Sequence, residues 1–167
     1  YPENTLPALR GAAVAGARFV EVDVQLSADA VPVLFHDRSL RRVCGASGAI
    51  HRTTYERLMR LSAHEPRRFG TRYQGTPLLA LSGLRAFLEA YPDVTAFVEI
   101  KSSAVYHFGA EAVLDAVARD LAPVALRCVL IARSVPLLWA ARQRLERGGA
   151  AAGPAAPGGG DRPSGPR

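Results

Sequence analysis

The chain has 167 residues, enough for one domain with a real core, and carries 21 Lys+Arg against 15 Asp+Glu for a formal charge of +6. The excess is almost wholly arginine, with Lys101 the single lysine, and no basic run interleaves with aromatics, so nucleic-acid binding has no footprint. No apolar run reaches the roughly 18 residues of a membrane span, and Cys44 and Cys128 lack metal or redox spacing and read as free thiols.

Residues 1–5 read as a loop feeding a helix, capped by Thr5 or Asn4, with Pro7 in its first turn. Leu6, Leu9, Ala13 and Val14 form its apolar stripe, and Gly16 ends it. From Arg18 to His36 two short β-type runs flank a polar turn at 27–30. So short a connection suggests a hairpin, or else a degenerate crossover in a parallel barrel. Residues 39–52 form a polar loop with Arg41, Arg42 and His51. Thr53 or Thr54 caps a helix with Tyr55, Leu58, Met59 and Leu61 on its apolar side. Residues 64–77 are another loop, and Ser82 caps a helix through Tyr91. A strand follows over 94–101, a helix over 107–121, a buried strand over 127–131 and a helix over 135–147 containing Trp139. Strand–helix alternation over most of the chain points to an α/β fold with a parallel sheet. From Gly148 the sequence is almost all Gly, Ala and Pro, so 1–147 is the expected domain and 148–167 a disordered tail.

The chemistry concentrates in two of these strands. Val20, Val22 and Val24 alternate with Glu21 and Asp23, so the valines share one face and the two carboxylates the other. Carboxylates so placed repel unless something positive lies between them, and a hard divalent cation with oxygen ligands meets that need. The second run ends at His36, an imidazole at the end of the neighbouring strand. Far along the chain, Phe97, Glu99 and Lys101 alternate with Val98 and Ile100 in the same way. A lone lysine among arginines favours a compact ammonium over a planar fork, as contact with a phosphate oxygen would. Glu21, Asp23 and Glu99 are therefore expected as cation ligands, Lys101 as an anion contact and His36 as a proton carrier, all at carboxyl ends of parallel strands. This set suits hydrolysis of a phosphodiester. His51, His64 and His107 read as ordinary loop or helix-cap histidines.

Four segments in this order resemble the glycerophosphodiester phosphodiesterase family: Pro-Glu-Asn-Thr at 2–5, Gly-Ala-Arg-Phe-Val-Glu-Val-Asp-Val-Gln at 16–25, Val-Pro-Val-Leu-Phe-His-Asp at 31–37 and Val-Glu-Ile-Lys at 98–101. The likeness runs from Tyr1 to about Arg147. It implies a metal-dependent TIM (β/α)8 barrel that hydrolyses small-molecule glycerophosphodiesters to glycerol 3-phosphate and an alcohol. It also implies Glu21, Asp23 and Glu99 as ligands of Mg²⁺ or Ca²⁺, and His36 as one of two acid/base histidines. Lys101 would be the phosphate-side lysine, and Glu3 and Asn4 supporting residues at the border of the site. The family's other histidine, in a His-Arg-Gly motif, lies before Pro-Glu-Asn-Thr, and a TIM barrel needs about 250 residues. The expectation is thus a partial barrel lacking its first strand and its last strands. A non-catalytic truncated remnant, or a related lysophospholipid or sphingolipid phosphodiesterase, is the alternative. No signal segment is visible, but the chain opens at Tyr1 rather than Met, so its true start is expected to be missing and the missing signal proves nothing; the location is left unknown, with the cytoplasm slightly favoured.

Overall fold

The computed structural model describes residues 1–150, with side chains described through Arg144. Helix α1 (Leu6–Val14) starts where expected: the Thr5 hydroxyl accepts the Ala8 N–H at 3.4 Å and Pro7 lies in the first turn. Strands β1 (Phe19–Leu26) and β2 (Pro32–Leu34) follow. They pair antiparallel, Val24 opposite Leu34, so the short turn makes a hairpin and not a degenerate crossover. Two short helices, α2 (Arg41–Cys44) and α3 (Tyr55–Met59), separate β2 from the next segment. A third, α4 (Pro66–Phe69), and a two-residue strand, β3 (Leu79–Ala80), complete it. Then come α5 (Leu81–Ala90), β4 (Thr95–Ile100), α6 (Ser102–Phe108), α7 (Ala110–Leu121), β5 (Cys128–Ile131) and α8 (Val135–Ala150).

The sheet order is β3-β2-β1-β4-β5, with β1, β4 and β5 mutually parallel and β2 antiparallel to both its neighbours, β1 and β3. Alternation along the parallel strands divides the sheet into two faces. Val20, Val22 and Val24 of β1 and Ala96, Val98 and Ile100 of β4 are buried in a core that α1, α5 and α7 cover. The other face carries Phe19, Glu21, Asp23, Phe97 and Glu99. A second apolar cluster, built around Phe35, Leu40, Val43, Ile50 and Leu58, lies beneath the hairpin and the segment after it. That core anchors the turn at 36–42.

Several expectations are corrected. The two loops contain short helical turns and end in β3, which are too brief to leave a periodic signal. Ala80, not Ser82, occupies the N-cap of α5, and no side chain caps it. The single helix expected over 107–121 is two, broken at Gly109 (φ +79°, ψ 154°), so His107 falls in the last turn of α6. β5 is not buried: it forms a sheet edge among the described residues, with Val129 41 % exposed. α8 is described to Ala150; the tail expected from 148 otherwise lies outside the described residues.

Gly109 has open space where a Cβ would stand, but its backbone lies in a region L residues avoid. Gly109→Ala is therefore expected to destabilise the fold by about 1–3 kcal/mol, read from the urea midpoint. Helix propensity alone predicts the opposite sign.

Candidate metal and phosphoryl-transfer site

The parallel register of β1 and β4 sets Asp23 opposite Glu99 and Glu21 opposite Phe97, so three carboxylates from two distant segments share one sheet face. One oxygen from each of Glu21, Asp23 and Glu99 lies within 4.8 Å of the other two. Lys101, just past β4, donates to Asp23 Oδ1 and to Glu99 Oε1, each at 3.1 Å. Burial works against its ammonium, but the hydrogen bonds to Asp23 and Glu99 outweigh that, and its pKa is raised. Glu21 makes neither bond. Its pKa is raised by partial burial and then by the charges of Asp23 and Glu99, with Lys101 and His36 pulling the other way. One ammonium thus leaves three carboxylates undercompensated. An all-oxygen donor set with surplus negative charge fits a hard divalent cation.

Asp23 is only 6 % exposed and is held from both sides. Its N–H, directed away from β4, donates to Asn4 Oδ1 at 2.9 Å, while Asn4 Nδ2 donates to Asp23 Oδ2 at 2.8 Å. The turn before α1 makes this possible. The Thr5 hydroxyl donates to the Pro2 carbonyl, and Asn4 adopts φ +55°, which asparagine tolerates better than most residues. Asn4, expected to support the site, grips Asp23 of the carboxylate cluster directly. Glu3 does not touch the carboxylate cluster in this way: its carboxylate pairs with Arg42 and its N–H donates to buried Glu65 at 2.9 Å.

His36 follows antiparallel β2, so it reaches the site from the hairpin and not, as expected, from the end of a parallel strand. Its Nδ1 lies 2.8 Å from Asp37 Oδ1. A carboxylate only accepts, so Nδ1 carries the proton and Nε2 is left for exchange. Arg42 grips Asp37 through Nε (2.7 Å) and Nη2 (2.8 Å) and reaches Glu3 as well. Those bonds, chiefly from Arg42 and then His36, lower the Asp37 pKa. Beneath, buried Gln25 directs its amide nitrogen at the carbonyls of Phe35, His36 and Asp37, and its Oε1 accepts from Ser103 at 2.7 Å. His51 and His107 stack on each other with centroids 3.6 Å apart. Cys44 and Cys128 are free, and burial pushes the Cys44 thiol to about 12.

Residue reasoning missed Gln25 and Arg42 as positioning groups. The available signals were a glutamine that continues an apolar strand and an arginine five residues after Asp37.

Parallel strands bearing a convergent carboxylate cluster, with a histidine alongside, make an α/β arrangement whose oxygen donors suit a hard cation. Residues 1–119 match the glycerophosphoryl diester phosphodiesterase family, and the chain belongs to it. It is 33 % identical over 109 residues to mouse glycerophosphodiester phosphodiesterase 1, which covers 62 % of this chain and 33 % of that protein. It is 32 % identical over 114 residues to a Bacillus altitudinis glycerophosphodiester phosphodiesterase, covering 66 % and 44 %. Among solved structures, a Silicibacter pomeroyi protein described as a glycerophosphoryl diester phosphodiesterase superposes with a TM-score of 0.74 at 25 % identity, over 87 % of this chain and 58 % of that one. An Oleispira antarctica phosphodiesterase solved with the product sn-glycerol-3-phosphate gives 0.74 at 28 % identity, over 86 % and 57 %. The chain therefore spans less than half of these curated relatives. Among the described residues no helix is long and apolar enough to cross a membrane.

The raised pKa of Glu21 has a definite sign. A carboxyl whose folded pKa exceeds its unfolded value contributes stability below the unfolded pKa and loses it as pH rises through the folded pKa. Without added cation, Glu21→Gln should therefore raise the melting temperature near about pH 7, and the gain should shrink as pH falls toward about 4. Scanning calorimetry at both pH values in chelator is the check, and a larger gain at the acid end would contradict it.

Proposed function

We propose that the protein carrying these residues hydrolyses glycerophosphodiesters to glycerol 3-phosphate and an alcohol, with Mg²⁺ or Ca²⁺ held by Glu21, Asp23 and Glu99. The observation that carries this reading is the convergence of those three carboxylates on one face, beside Lys101 and near His36. The product in the Oleispira neighbour agrees with it. When bound, the cation neutralises phosphate charge and acts as a Lewis acid.

The chain's own groups divide the remaining work. Lys101 uses two of its N–H groups on Asp23 and Glu99, and its third serves a phosphate oxygen. His36, its Nδ1–H tied to Asp37, moves a proton at Nε2. Asp37 fixes the tautomer, Arg42 fixes Asp37, and Gln25 fixes the backbone under both. Asn4 sets the rotation of the Asp23 carboxylate, and Glu3 steadies Arg42. An opposing reading, a chain that binds cation without turnover, draws support from the exposure of Phe19 (67 %) and Val129 on the sheet.

The test is glycerol 3-phosphate release by the whole protein carrying residues 1–167. Release should depend on Mg²⁺ or Ca²⁺ and stop with chelator, and His36→Ala should lower kcat by about 10²–10⁴-fold. Asn4→Ala should weaken the cation about 10–100-fold by calorimetry, as loss of a ligand-orienting partner does. Cation binding with no release of product from any glycerophosphodiester would favour the non-catalytic reading.

A further inference from the structure

A cavity of about 500 Å³ opens beside the carboxylate cluster, between the turn after β2 and the ends of β4 and β5. Its walls include His36, Asp37, Arg38, Glu99, Lys101 and Arg133. The charges there are unequally engaged. Asp37 is compensated by Arg42 and His36, and Glu99 by Lys101. Arg133 has no ion pair among the described residues, and Arg38 reaches only His107 Nε2, at 3.5 Å. A guanidinium only donates, so this contact brings Arg38 no counter-charge. No Phe, Tyr or Trp lines the cavity. A quaternary ammonium would find no aromatic face there and would meet two guanidinium groups.

Resting on the phosphodiesterase reading above, we infer that this cavity receives the alcohol arm of the diester and that Arg38 and Arg133 select headgroups with an anionic group of their own. The glycerol arm is uncharged and offers the two guanidinium groups no counter-ion, which assigns the cavity to the other arm. Guanidinium forks match carboxylate and phosphate alike, so the shared chemistry is a second anion one headgroup away from the scissile phosphate. Both arginines are exposed, which makes their effect sensitive to salt.

The experiment compares kcat/KM of the whole protein, with cation, on three glycerophosphate esters: the serine ester, which bears a carboxylate; a phosphorylated inositol ester, which bears a second phosphate; and the choline ester. At least one anionic ester should exceed the choline ester by about 10-fold or more, and which one does so identifies the anion. Arg38→Ala and Arg133→Ala should each narrow that gap, mainly through KM, and added salt should narrow it in the parent protein. Both side chains are exposed, so neither change threatens the core. A choline ester turned over as well as or better than both anionic esters overturns the inference and leaves the phosphodiesterase reading standing. So does a gap that survives both substitutions. If no ester is cleaved, the underlying reading falls and takes this one with it.

Discussion

Three carboxylates on one sheet face repel one another, and the fold accepts that repulsion because Asp23 is clamped. Asn4 holds its N–H and one carboxylate oxygen, and Lys101 takes the other oxygen. A buried carboxylate without such partners would protonate or turn away. With them it stays where β1 puts it, opposite Glu99, and Glu21 takes what remains of the unfavourable charge. The order of pairing matters. Lys101 engages the two residues in direct register and leaves Glu21 as the group whose pKa rises. The face is poised for a cation because its own positive charge falls short.

Much of this was legible in the strands. Period-two alternation in 19–24 and 95–100 fixes which side chains share a face, and that holds whatever packs behind. The valines went to the helices and the acids to the opposite face, as the pattern required. The lone lysine among arginines also pointed to the site. What alternation cannot supply is the path of the chain between elements. The direction of β2 depends on the turn at 27–30, where Ala30 takes φ +58° and Ser27 hydrogen-bonds across to Val31. His36 was therefore placed in the right neighbourhood by the wrong route. Asn4 shows the same limit. Its grip on Asp23 needs a left-handed residue in a turn that Thr5 and Pro2 close, and nothing in a linear reading ties residue 4 to residue 23. Gly109 could have been read as a break, but the apolar spacing on its far side masked it.

The site also lies where two apolar cores meet. The carboxylates stand on the main sheet, backed by the larger apolar cluster. The turn from His36 to Arg42 stands on the smaller cluster around Phe35, Leu40 and Ile50. The β1–β2 ladder links them, with the Phe35 N–H on the Asp23 carbonyl at 2.8 Å, and polar side chains add to it. Gln25, on β1, holds the carbonyls of the His36 turn and accepts from Ser103 beside Lys101. Glu3 and Asn4, adjacent in sequence, face opposite ways: one to Arg42 in the turn, the other to Asp23 on the sheet. The distance from imidazole to carboxylates is thus set by the β1–β2 ladder and two short polar struts, and not by packing alone. Apolar packing is tolerant of small shifts, whereas a hydrogen bond weakens steeply with misalignment. A fold that holds an imidazole at fixed range from a carboxylate cluster gains that range from directional bonds. This gives a physical reason for a glutamine buried in a strand where a valine would pack more easily.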